Sequence, residues 1–288
     1  MMSDPKISTI TRKTFLQKLM HWAGRLVGLG VAAGVYSYGW ERHWIETTEV
    51  TITLPKLPDA FRGTKLVHFS DLHLGHFSEP KDVQHVVDLI MSKKPDMICF
   101  TGDLVDESTR YLSAVLPILG QLEAPLGKYA VLGNHDYRAR QQQVIRDTLS
   151  SAGFEVLDNR HVRVDRQGSS LHMAGVDDVL FGVPDLARAL GDIPTDEAVI
   201  LLAHEPDFAD ETAAYPVGLQ LSGHSHGGQV RLPLIGAILT PKLSQKYVQG
   251  LYKVKDTSLQ VYTSRGLGTT ILPIRLFCRP EVTVITLR

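Results

Sequence analysis

Asp96-Met97-Ile98-Cys99-Phe100-Thr101-Gly102-Asp103 is the stretch on which the fold turns. Met97 to Phe100 is a short, unbroken apolar run, the pattern of a strand buried on both faces. Gly102 lets the chain bend sharply after it. Asp103 then stands just past the strand's C-terminal end, where open α/β sheets collect their binding sites. A carboxylate there has two oxygens and can hold two cations at once. A single Gly-Asp is more often a turn or a helix cap, so the reading depends on whether other segments repeat it.

They do. Lys65-Leu66-Val67-His68-Phe69-Ser70 reads as a strand delivering Asp71-Leu72-His73, and Tyr129-Ala130-Val131-Leu132 as one delivering Gly133-Asn134-His135-Asp136. Asp71 and Asp103 are 32 residues apart, Asp103 and Asn134 are 31, about one strand–helix unit each. Helical spacing fills the gaps: Pro80–Lys94 (Val83, Val86, Val87, Ile90), roughly Thr109–Leu122, and 138–151. Val50–Leu54 alternates with period two, as an edge strand does, and ends at Pro55. The second half predicts shorter strands at 162–164, 170–174, 199–203, 219–222, 229–232, 259–263 and 282–287. Two of these end in His204 and in Gly223-His224-Ser225-His226. No strong linker divides 46–288, which is expected to be one α/β domain.

Composition narrows the function. The 288 residues carry a net charge of −1, which disfavours a nucleic-acid partner held by bulk charge. The two cysteines form no disulfide framework, and Cys99 sits within an apolar strand as a buried thiol. Residues 1–45 differ from the rest. No acidic residue lies between Asp4 and Glu41, while Lys6, Arg12, Lys13, Lys18 and Arg25 are basic. Leu26–Val35 is apolar, and Tyr36, Tyr38, Trp40 and Trp44 follow. That anatomy describes an export signal or membrane anchor, although the apolar run is short and glycine-rich for a spanning helix. Thr11-Arg12-Lys13-Thr14-Phe15-Leu16 resembles a twin-arginine export signal with Lys13 at the second arginine. The expected location is the cytoplasmic membrane or the cell envelope beyond it.

The strand-end polar residues are Asp71, His73, Asp103, Asn134, His135, His204, His224 and His226. Carboxylate, amide oxygen and imidazole without cysteine suit Mn, Fe or Zn and argue against a structural zinc site. Asp71 and His73, like His224 and His226, are two apart, so an extended backbone would point each pair the same way.

Taken together, Asp71-x-His73, Gly102-Asp103-x-x-Asp106, Gly133-Asn134-His135-Asp136, His204 and Gly223-His224-x-His226 resemble the calcineurin-like metallophosphoesterase superfamily, in order and spacing, over about 64–230. Gly223 to Pro233, Arg265-Gly266-Leu267-Gly268, and Pro273-Ile274-Arg275 to Pro280-Glu281 resemble its bacterial membrane-associated or exported phosphodiesterases. The resemblance implies a four-layer sandwich, two packed mixed sheets flanked by helices. It also implies two divalent ions. Asp71, His73, Asp103 and His226 would hold the first, Asp103, Asn134, His204 and His224 the second, with Asp103 bridging. His135 would be catalytic without binding metal, oriented by Asp136, while Asp106 would turn the loop or bond a neighbouring ligand. Arg231, Arg265 and Arg275 are candidates for phosphate contact.

Two metals about 3.5–4 Å apart clamp a phosphate and activate a water between them. The expected activity is hydrolysis of a phosphodiester or pyrophosphate bond by a monomer associated with a membrane through its N-terminus. A narrower alternative is UDP-2,3-diacylglucosamine pyrophosphate hydrolysis in lipid A assembly. Leu232–Leu239, an apolar stretch after the last metal motif, would seat an acyl chain, touch a bilayer or pack as a flap. The alternatives from other classes are a phosphomonoesterase and a non-catalytic metal-binding scaffold. A scaffold is expected to lose ligands or His135, and the chain retains them all.

Overall fold

In the computed structural model the described residues are 11–75 and 77–288. Asp4 and Lys6, at the start of the basic segment, lie outside them. The strands are β1 (Glu46–Ile52), β2 (Lys65–Phe69), β3 (Met97–Thr101), β4 (Lys128–Val131), β5 (Glu155–Val156), β6 (Arg160–Arg166), β7 (Ser169–Gly175), β8 (Ala198–Leu202), β9 (Leu219–Ser222), β10 (Arg231–Leu232), β11 (Gly236–Ala237), β12 (Gly250–Lys253), β13 (Gln260–Thr263) and β14 (Glu281–Leu287). The helices are α1 (Arg12–Gly39), α2 (Pro80–Ser92), α3 (Leu112–Leu119), α4 (Asn134–Arg138), α5 (Gln142–Ser151), α6 (Leu186–Leu190) and α7 (Ala209–Thr212).

Two six-stranded sheets form the centre, ordered β1-β14-β2-β3-β4-β5 and β12-β13-β9-β8-β7-β6. The chain is mixed α/β: β2, β3 and β4 run parallel, as do β7, β8, β9 and β13, while β14–β2, β6–β7 and β12–β13 are antiparallel. β1 is the edge strand that alternation predicts, paired in parallel with β14.

β3 explains why there are four layers. Its side chains alternate between faces. Met97 and Cys99 enter the core between the sheets with Leu66, Ile200 and Leu221. Ile98 and Phe100 enter the core beneath the helices with Val83, Val87, Val115 and Ile145 of α2, α3 and α5. β8 does the same in the second sheet: Ile200 and Leu202 face inward, while Val199 and Leu201 join Leu186, Ala189 and Ala209 of α6 and α7. Each such buried side chain contributes roughly 1.5–3 kcal/mol. Both cysteines are free and buried, and burial raises both thiol pKa values.

The helix expected over 138–151 is split, because α4 begins four residues earlier at Asn134 and α5 starts only at Gln142. β5, β11 and β12 were not predicted; β5 and β11 have two residues each, too few to show a period. α1 is a single helix capped by Thr11, whose side chain accepts from Thr14 N. Apart from Ala33 and Ser37, its residues are exposed. Among the described residues no helix is long and apolar enough to cross a membrane. Beyond α1 the chain docks: Glu41 is buried, and its carboxylate accepts from Cys278 N at 2.6 Å.

Candidate metal centre

Parallel strand order brings the C-terminal ends of β2, β3 and β4 against those of β8 and β9, and the polar residues that follow these strands meet there. Three groups have donor atoms within 4.8 Å of one another: Asp71, His73 and His226; Asp103, His204 and His224; and His73, Asp106 and His135. Asn134 Oδ1 joins the second group, 2.8 Å from His224 Nδ1 and 3.2 Å from His204 Nε2. The structure therefore brings together all eight strand-end residues selected from the sequence.

It does so by a different backbone route. Asp71, His73, Asp103, His224 and His226 have φ of 56°, 46°, 58°, 64° and 50°. None is extended. Side chains two apart converge because the chain coils left-handedly, a conformation uncommon outside glycine that gathers at functional sites. Two glycines permit the crowding. A Cβ on Gly102, at φ +91°, would stand 2.6 Å from Gly133 N and 2.8 Å from His204 Nδ1. On Gly223 it would stand 2.4 Å from Asp71 Oδ2.

Hydrogen bonds fix which ring nitrogen faces inward. His204 Nδ1 donates to Thr101 O at 2.6 Å, and His224 Nε2 to Lys242 O at 2.9 Å. The opposite nitrogen of each ring points towards Asn134 and, for His204, also towards Asp103, the position from which it would ligate a cation. Asp103 Oδ1 accepts from His135 N at 2.8 Å, while Oδ2 lies 3.4 Å from His73 Nε2 and 3.2 Å from His204 Nε2.

The residues fit a divalent cation. His73 Nε2 and His226 Nε2 face each other at 3.0 Å, with Asp71 Oδ1 3.8 Å and 3.4 Å away. Two imidazole lone pairs cannot face each other without a proton or a cation between them. Burial opposes charge on His73, yet the carboxylates of Asp106, Asp71 and Asp103 push its pKa up to about 10. Burial likewise opposes charge on His204, and Asp103 raises it well above the ordinary value. His224 goes the other way, lowered to about 4 by burial and by the charge of His204. Buried carboxylates thus demand positive charge at this point.

Asp136 does not orient His135. It occupies the first turn of α4 and accepts from Gly133 N, Asp103 N and Val105 N, at 3.0, 3.0 and 3.1 Å. Burial and the neighbouring Asp103 push it up to about 7. The partner of His135 is Asp106: Nδ1 lies 3.0 Å from both Asp106 Oδ1 and Asp106 O, and the same carboxylate is 3.4 Å from His73 Nδ1.

A cavity of about 630 Å³ opens from this cluster, with Asp103, Asn134, His135, His224 and His226 on its wall. The expected arginines are elsewhere. Arg265 pairs with Glu46 at 2.9 Å and Glu281 at 3.1 Å, and Arg231 donates to Gly227 O. Arg275 is fully buried and donates to the carbonyls of Arg265, Gly266, Gly268 and Cys278. The cations on the cavity wall are Arg138 and Lys242. Arg138 Nη1 lies 3.3 Å from His135 Nε2 and stacks on Phe181, 5.5 Å from the ring centre. Its signal was the i,i+3 spacing from His135, visible only once α4 is known to begin at Asn134. Leu232–Leu239 is not a packed flap: it forms the β10–β11 hairpin, with Leu234, Ile235, Ile238 and Leu239 exposed.

Paired sheets, with Asp, Asn and His gathered beyond their strand ends, define a metal-dependent phosphoesterase. The calcineurin-like phosphoesterase family model matches residues 64–228. The chain is 40% identical over 284 residues to a Bacillus subtilis protein named uncharacterized metallophosphoesterase YkuE, covering 97% of this chain and 98% of that one. It is 31% identical over 285 residues to phosphodiesterase YaeI of Escherichia coli, covering 96% and 99%. It is 32% identical over 256 residues to a Danio rerio transmembrane protein with metallophosphoesterase domain, covering 84% of this chain and 57% of that protein. The chain belongs to the calcineurin-like phosphoesterase family and is a metal-dependent phosphoric ester hydrolase.

Proposed function

We propose that the enzyme is a phosphodiesterase working with two divalent ions, Mn, Zn or Fe, held by Asp71, His73, Asp103 and His226 on one side and Asp103, Asn134, His204 and His224 on the other. The observation that carries this is the position of Asp103: its Oδ2 is within 3.4 Å of a histidine from each donor group. When bound, the ions neutralise a phosphoryl group and lower the pKa of a water towards neutrality. The chain's own residues do the rest. Asp106 holds His135 by Nδ1, leaving Nε2 on the cavity side beside Arg138. Once protonated, with the Arg138 guanidinium turned from it to the phosphate, that nitrogen can pass a proton to the departing alkoxide. Arg138 adds a fixed positive charge where the phosphate's non-bridging oxygens would lie.

The proposal extends to location. The exposed apolar side chains of α1 and its basic residues Arg12, Lys13, Lys18 and Arg25 support contact with an anionic lipid surface.

The test is Asp103→Asn, assayed on bis(p-nitrophenyl) phosphate with Mn²⁺ alongside elemental analysis. The rate is expected to fall about a hundredfold or more, with fewer than two ions per chain. Full activity with two ions would remove the bridging role. Faster turnover of p-nitrophenyl phosphate than of the diester would move the enzyme to the monoesterases.

A further inference from the structure

The cavity joins the polar cluster to a largely apolar wall. Its metal-centre end carries Asp103, three histidines and Asn134, and Arg138 and the Lys242 backbone touch this end. Arg138 contacts His135, and the Lys242 carbonyl accepts from the His224 ring. The apolar part of the wall is built from Leu180, Phe181, Leu239, Ile271, Leu272 and Ile274, with Phe181 stacked on Arg138. These come from three separated segments, so the apolar wall is a product of the fold and not of one greasy loop. Phe181, Leu239, Ile271 and Leu272 are exposed, Ile271 at 87%. Leu234 and Ile235 at the β10–β11 hairpin tip, and Phe277, are exposed as well.

We infer that this wall receives the hydrocarbon chain of the substrate, so that the enzyme acts on phosphoesters of amphiphiles; the inference rests on the phosphoesterase reading of the same centre. A molecule whose phosphoryl group lies against the metal centre must place a substituent along the apolar wall, because the two share one cavity. The polar side chains on this wall are few, chiefly Thr240, Thr270 and Gln229, whose amide is already bonded both ways to the Thr270 backbone. A sugar or base laid there would therefore give up more hydrogen bonds to water than it recovers, a cost a hydrocarbon chain does not incur. The chain instead removes four exposed apolar side chains from water, at about 25 cal/mol per Å².

The experiment compares p-nitrophenyl methyl phosphate with p-nitrophenyl dodecyl phosphate, both as monomers in solution, using the full chain with Mn²⁺. In each, water adds to phosphorus, the P–O bond to the nitrophenyl group breaks, and nitrophenolate leaves with the alkyl phosphate remaining. The dodecyl ester is expected to show kcat/KM at least tenfold higher. In Ile271→Asp and Leu239→Asp, both at exposed positions where folding is not at stake, that ratio is expected to fall at least fivefold. Equal kcat/KM for the two esters would overturn the inference and leave the phosphodiesterase reading standing. If neither ester turns over, the phosphodiesterase reading fails, and dodecylphosphonate and methylphosphonate decide the chain site alone. Tenfold tighter binding of the dodecyl compound, lost in Ile271→Asp, supports it; equal binding overturns it.

Discussion

His135 illustrates how little separates a ligand from its neighbour. Asn134 faces the metal centre, and the next side chain turns into the cavity against Asp106. His135→Ala is therefore expected to leave metal content unchanged and lose about 10²–10⁴-fold in kcat, read by elemental analysis and diester turnover on the same preparation. Loss of an ion would instead make His135 a ligand. Gly102 is constrained by both torsion and space. Gly102→Ala forces a Cβ towards Gly133 N and the His204 ring at a φ that favours glycine. It is expected to cost more than about 1 kcal/mol of stability and to weaken metal binding, measured by urea unfolding and by metal titration.

At the scale of elements, one loop does much of the positioning without touching the cavity. Leu267 N and Gly268 N donate to Ser70 O and Asp71 O, just beyond β2. That loop is held by Arg275, whose guanidinium satisfies four carbonyls from full burial. Arg275 thus acts on Asp71 through the backbone, not on phosphate. Arg275→Met would leave those carbonyls without their donor. We expect a loss of about 3 kcal/mol or more in chemical denaturation, together with weaker metal binding. Unchanged stability would show that the loop holds its shape alone.

For the molecule as a whole, the N-terminal segment divides at α1. Most of the helix leaves its side chains in solvent, whereas Ser37 in its last turn and Glu41 beyond it are buried on the domain. Removing residues 1–35 is expected to leave unfolding free energy within about 0.5 kcal/mol while abolishing sedimentation with anionic phospholipid vesicles. Removing 1–45 is expected to destabilise the domain, because the Cys278 amide loses the Glu41 carboxylate and the buried site is left open.

The sequence by itself singled out the eight polar residues that the structure brings together, and the layered α/β order, because apolar runs and the polar residues that end them are local facts. The unbroken apolar run Met97–Phe100, buried at every position, and the period of 3.6 in Val83–Ile90 survive folding unchanged. What only the tertiary structure decided depends on contacts between distant segments. Asp106, not Asp136, holds His135, since α4 turns Asp136 back onto its own first turn and the β3 loop. Arg265 and Arg275 are withdrawn from the site because Glu46, Glu281 and four backbone carbonyls reach them first. The left-handed turns at Asp71, His73, Asp103, His224 and His226 leave no mark in residue type, because packing imposes them on residues that would otherwise adopt other conformations. The apolar wall is likewise assembled from segments some ninety residues apart, which no local pattern connects.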